Sequence, residues 1–217
     1  MTPRRLAPLL GMALLPLAAA AGARECQVDL GHGWPPATAN YGEAAEQLFT
    51  DGVRPALALT WLPHTGKESG LALWPGAEGA DWRLRYSRAD QRILYWQSGG
   101  TRAGMQLRTA QQPDAREVPM PAALAQRLLG LWRQALQQAV PADRTAPVLE
   151  REVMSLALGE DRYSGAAPRC GPAGYIIEQA TRLIEATDTK DSKRDRRWDA
   201  LSESLDELQQ SLAGQGG

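Results

Sequence analysis

Residues 57–86, LALTWLPHTGKESGLALWPGAEGADWRLRY, decide the fold class. Leu57, Leu59 and Trp61 alternate with Ala58 and Thr60; Leu71 and Leu73 alternate with Ala72 and Trp74; Trp82, Leu84 and Tyr86 alternate with Arg83 and Arg85. A period of two sends successive side chains to opposite faces of a half-buried strand. The breaks at 64–69 and 75–80 are short and supply Gly, Pro, Ser or Asp-type turn chemistry. Loops of this length join antiparallel neighbours, because a parallel pair needs a crossover of a dozen or more residues. The stretch therefore predicts a β-meander, and apolar segments at 93–97 and 105–108 predict two further strands.

Helical periodicity takes over at Pro121. Leu124, Leu128, Leu131, Trp132, Leu136 and Ala139 recur at spacings of three and four, and proline is tolerated in a first helical turn. This helix is expected to pack on the sheet. Over 152–164, Gly159-Glu160-Asp161 favours a second small hairpin, although 149–158 is also compatible with a helix. A helix then opens at Gly171-Pro172, with Ile176, Ala180, Leu183 and Ile184 along one face. A last helix, from about Ser192, carries a narrow stripe of Trp198, Leu201, Leu205, Leu208 and Leu212 that is expected to dock on the helix before it. Upstream, 26–54 reads as irregular or partly helical, with a stiff turn at Trp34-Pro35-Pro36 and a short helix over 43–49.

The first residues carry a different message. Arg4 and Arg5 precede an apolar run over 6–21, and Ala21-Gly22-Ala23 has the small-x-small form of a cleavage site. The run is interrupted by Pro8, Gly11 and Pro16 and is shorter than the roughly twenty residues a membrane span needs. Residues 1–23 are expected to be a cleavable signal peptide, and the mature chain to be periplasmic or secreted with no membrane span. Cleavage removes only two charges, leaving 22 basic and 25 acidic side chains and a net charge near −3. That mild balance argues against nucleic acid as a partner.

In an oxidising compartment two cysteines are most simply a disulfide. Cys26 and Cys170 are therefore expected to be bridged. The chain as a whole is expected to be α+β: an antiparallel meander of about five to seven strands packed by helices, ending in a C-terminal helical pair. Residues 24–190 are assigned to one domain, and 191–217 to a C-terminal helix with a disordered tail.

No catalytic or metal-binding motif is legible. His32 lies between glycines, His64 lies in a loop, and neither belongs to an H-x-x-x-H or H-E-x-x-H pattern. No serine sits in a G-x-S-x-G elbow. Ser69, His64 and Asp81 form a conceivable but weakly supported triad, since catalysts are identified by geometry. No metal, no cofactor and no catalytic residue is assigned. The candidate surface comes instead from the meander. A turn at Ala89-Asp90 would place Arg83 opposite Trp96, Arg85 opposite Leu94 and Ser87 opposite Arg92, collecting Arg83, Arg85, Arg92 and Trp96 on one outer face. Arginine and tryptophan dominate protein interfaces. The expectation is an exported, non-enzymatic binding protein acting through protein contact, such as an inhibitor or immunity-type envelope factor; the alternative is a cell-envelope hydrolase with a dispersed active site.

Overall fold

The computed structural model describes residues 26–98, 104–149 and 152–214. The signal-type segment and the last three residues therefore lie outside the described residues. Those described form β1 (Leu30–His32), α1 (Ala39–Thr50), β2 (Leu57–Leu62), β3 (Ser69–Trp74), β4 (Trp82–Arg88), β5 (Leu94–Gln97), β6 (Gly104–Leu107), β7 (Asp114–Met120), α2 (Ala122–Ala139), β8 (Val153–Leu158), β9 (Asp161–Gly165), α3 (Gly171–Thr187) and α4 (Asp191–Gly214). Seven strands pair antiparallel in the order β1-β9-β8-β2-β3-β4-β7, and β5 and β6 form a separate two-stranded ribbon. The fold is α+β, with the expected meander β2-β3-β4, the expected hairpin β8-β9 and the expected C-terminal helical pair.

Leu57, Leu59, Leu71, Leu73, Leu84, Val118, Met154, Leu156 and Tyr163 share one core with α2, α3 and α4. The stripe of α4 is buried there, so this helix covers the protein's own core and is not an unpartnered surface. Polar groups bind the three helices across that core. Trp132 is fully buried, and its indole N–H donates to Gln179 Oε1 at 2.6 Å. The Gln179 amide donates in turn to the Ser204 carbonyl at 2.9 Å. A buried indole and a buried amide are thus both satisfied, which avoids the cost of orphaned polar groups.

A smaller cluster covers the sheet's other face. Tyr41, Ala45 and Phe49 of α1 pack with Leu62, Ala89, Ile93 and Val153. Helix α1 reaches the sheet closely at Gly70, where a Cβ would meet the Phe49 ring at 2.6 Å. The helix is fastened at β8-β9 by Arg162, whose guanidinium donates to both Glu46 carboxylate oxygens at 2.7 and 2.9 Å and lies over the Trp34 ring at 4.4 Å.

Two strands escape the pattern in the sequence. The three residues of β1 are too few for a period to register, and the strand exists through its pairing with β9 and its approach to Thr145. There a Cβ on Gly31 would fall 2.1 Å from the Thr145 carbonyl oxygen, so only glycine fits without displacing backbone. Strand β7, DAREVPM, is mostly exposed at the sheet edge and carries charges and Pro119, which blunt an edge against further pairing.

The expected β4-β5 hairpin does not form. Strand β4 pairs with β3 and β7, setting Arg83 opposite Trp74 and Pro119, and Arg85 opposite Ala72 and Glu117. Ile93 instead turns into the α1 cluster with no exposed surface. Its amide is satisfied by the side chain of Glu68, not by a strand.

Cys26 and Cys170 are bridged, with Cα atoms 5.7 Å apart across a separation of 144 residues. The bond joins the lead-in of β1 to the residue before α3. Gly171 follows at φ 63, in the left-handed region, where a Cβ would approach the Cys26 sulfur to 3.2 Å. No helix among the described residues is long and apolar enough to cross a membrane.

Candidate functional site

The ribbon begins with a buried acid. Glu68 ends the β2-β3 loop, has no exposed surface, and its carboxyl group accepts three hydrogen bonds: from the Tyr41 hydroxyl at 2.5 Å, from the Ile93 amide at 2.8 Å and from the Leu94 amide at 3.3 Å. Its own carbonyl accepts from the Ala89 amide at 2.9 Å. One residue therefore joins α1, the exit of β4 and the first residue of β5. Arg92 closes the other side, donating to the carbonyls of Leu94 at 3.0 Å and Pro63 at 3.4 Å.

Tyr41 bears the electrostatic mark of this clamp. Burial above all, then the hydrogen bond to Glu68 and its charge, push the phenol well above its ordinary value of 10.0, with nearby Arg92 opposing the shift. In the unfolded chain the phenol loses its proton near pH 10.0, whereas in the folded protein it keeps it. Its contribution to stability is therefore complete below that pH and is lost as pH rises beyond it. Urea denaturation across that range should show wild type losing up to about 1.4 kcal/mol per pH unit more than Tyr41→Phe. Equal slopes would contradict a buried, protonated phenol at this position.

Beyond the clamp, β5 and β6 pair Leu94 with Leu107 and Trp96 with Met105. Directly opposed residues share a face, so these four side chains form one apolar patch. Exposure is 65% at Trp96, 53% at Met105 and 38% at Leu107. The opposite face carries Tyr95 and Gln106, with the Arg108 guanidinium 4.2 Å over the Tyr95 ring. Of the five exposed large apolar residues described, three lie on this one patch.

The four residues singled out in the sequence are thus divided between two places. Trp96 and Arg92 belong to the ribbon. Arg83 and Arg85 lie on β4, where their guanidinium groups stand 4.5 and 5.4 Å over the Trp74 ring, so the expected stack of Arg83 on Trp96 is replaced by one on its β3 neighbour. Arg85 is further held by Asp51 and Glu117; burial opposes its charge, but those two hydrogen-bonded carboxylates outweigh it and raise its pKa. Met105 and Leu107 were missed as surface residues. The signal available was the absence of charge in Gly104-Met105-Gln106-Leu107, which a two-stranded ribbon leaves uncovered.

The triad of Ser69, His64 and Asp81 does not assemble. His64 and Ser69 stand at the beginning of β3 and Asp81 beyond its end. A six-residue strand separates those ends by about 17 Å. Ser155 and Ser164 do meet, at 2.9 Å, but their partner is the Arg162 guanidinium, which cannot take a proton from them. His32 lies against Tyr163 on the opposite face of β9. Among the described residues no group of three or more His, Cys, Asp or Glu is placed to hold a metal ion. Comparison with protein families, with curated proteins and with solved structures finds no match for the chain.

Proposed function

We propose that this is an exported, non-enzymatic binding protein acting through protein contact, with an inhibitor or immunity-type envelope factor among the fitting roles, and that its contact surface is the apolar face of the β5-β6 ribbon. The observation that carries this reading is the exposure of Trp96, Met105 and Leu107 together on a ribbon outside the main sheet. Scattered exposed apolar residues are ordinary, but a contiguous patch that includes a tryptophan has the composition of an interface anchor. The Glu68 clamp supports the same reading, because fixing the ribbon's base lowers the entropy lost when a partner binds. Export is supported by the leader-type sequence over 1–23 and by the disulfide, which persists in oxidising compartments.

The test is affinity capture from envelope extract, followed by titration of the captured partner. Trp96→Ala combined with Met105→Ala is expected to weaken the complex by about 2 kcal/mol or more. Folding stability should move by no more than about 0.5 kcal/mol per site, as for exposed positions generally. Unchanged affinity in the double variant would refute the proposed surface.

A further inference from the structure

Resting on that reading of the ribbon, we infer that the partner contributes an extended segment that adds to the outer edge of β6 as a third strand, and that this segment alternates apolar and acidic residues. The first observation is the edge. Arg108 donates its amide to the Ile93 carbonyl at 2.8 Å, whereas the Leu94 amide turns away from β6 to Glu68. Because inward and outward pairs alternate in an antiparallel ladder, the backbone groups of Met105 and Leu107 point outward from β6. On β5 the outward amide and carbonyl of Leu94 are already taken by Glu68 and Arg92. The clamp thus occupies the outward groups at the start of β5 and leaves Trp96 as that edge's one outward residue, whereas β6 offers two, Met105 and Leu107.

The second observation is the contrast with β7. At the edge of the main sheet β7 carries Asp114, Arg116, Glu117 and Pro119, which discourage pairing. Strand β6 has neither charge nor proline. One chain thus blunts one edge and leaves another receptive. An added strand would lay alternate side chains on the patch of Leu94, Trp96, Met105 and Leu107, and the others beside Tyr95 and Arg108.

The third observation is charge. Of the sixteen described arginines ten pair with carboxylates, and Arg88, Arg92 and Arg108 are among the six with no carboxylate within ion-pair distance. Against Asp90 and the clamping Glu68 these three give Glu68 and the described residues 88–97 and 104–108 a formal net charge of +1, in a chain whose total is −1. An acidic strand complements that field, and a second copy of the same ribbon would repel it. Lipid is disfavoured by the same open edge, since unpaired backbone groups are costly in hydrocarbon.

The experiment selects a display library of random linear peptides on the oxidised full-length chain and then examines a synthetic representative. Enriched peptides are expected to alternate apolar and acidic residues and to protect the Met105 and Leu107 amides from hydrogen exchange. Affinity should fall about tenfold or more in Trp96→Ala, and should fall likewise when alternate peptide amides are N-methylated. Peptides that bind the ribbon equally well after N-methylation would overturn strand addition while leaving the ribbon as the contact surface. Enrichment that is undiminished in the Trp96→Ala, Met105→Ala chain, with protection elsewhere, would defeat both. Ribbon protection produced by phosphatidylglycerol vesicles alone, or by raising the protein concentration alone, would replace the partner strand with lipid or with a second copy.

Discussion

Glu68→Ala is expected to destabilise the fold by about 4 kcal/mol, because it orphans the Tyr41 hydroxyl and the Ile93 and Leu94 amides at once, and each unsatisfied buried group costs about 1–3 kcal/mol. The residue is completely buried, so water does not replace the lost acceptor without opening the α1 cluster. Glu68→Gln keeps the volume and one acceptor oxygen, but it sets amide donors against donors and should recover only part of the loss. Urea denaturation is the measurement, with Glu160→Ala as the control at a side chain that is 87% exposed. Hydrogen exchange should report loosening first at 93–97 and 104–107, since those residues are joined to the sheet through this carboxyl group. Equal stability of the Glu68 and Glu160 variants would show that the clamp does not hold the ribbon.

Reducing the disulfide should have a comparable or larger effect. The bond closes a loop of 144 residues, for which the chain-entropy model gives about 5 kcal/mol. That is a large fraction of the roughly 5–15 kcal/mol by which domains are stable. The loss should begin at β1, a three-residue edge strand whose approach is fixed by Cys26 and whose one strand partner among the described residues is β9. Denaturation midpoints of the reduced protein and of a Cys26→Ser, Cys170→Ser double variant should agree with each other and lie well below that of the oxidised protein. Labelling of both cysteines by a thiol reagent in native, unreduced protein would contradict the bridge.

What was legible in the sequence follows the length and burial of each element. Strands β2, β3 and β4 are long enough to show their period, and α2, α3 and α4 bury stripes that recur at three and four. The hairpin β8-β9 was announced by Gly159, which adopts φ 65 in the turn. Strands β1 and β7 were hidden because one is three residues long and the other is an edge strand whose buried positions are only Val118 and Met120. The candidate site was half legible. Trp96 was singled out and is exposed, but its neighbours were misassigned because the register after Arg88 is set by a side chain. Nothing in the local pattern of 88–97 reveals that the amides of Ile93 and Leu94 bond to a glutamate 25 and 26 residues earlier.

The ribbon as contact surface is most directly tested by site-specific photo-crosslinking in the cell that makes the protein. A benzoylphenylalanine at position 96 or 105 should yield a discrete adduct with one partner protein. The same group at position 53 or 148, where Val53 and Val148 are 54% and 70% exposed but lie off the ribbon, should yield none. Adducts from 53 or 148 with none from the ribbon, or the same adduct from all four positions, would contradict a binding function seated on β5 and β6.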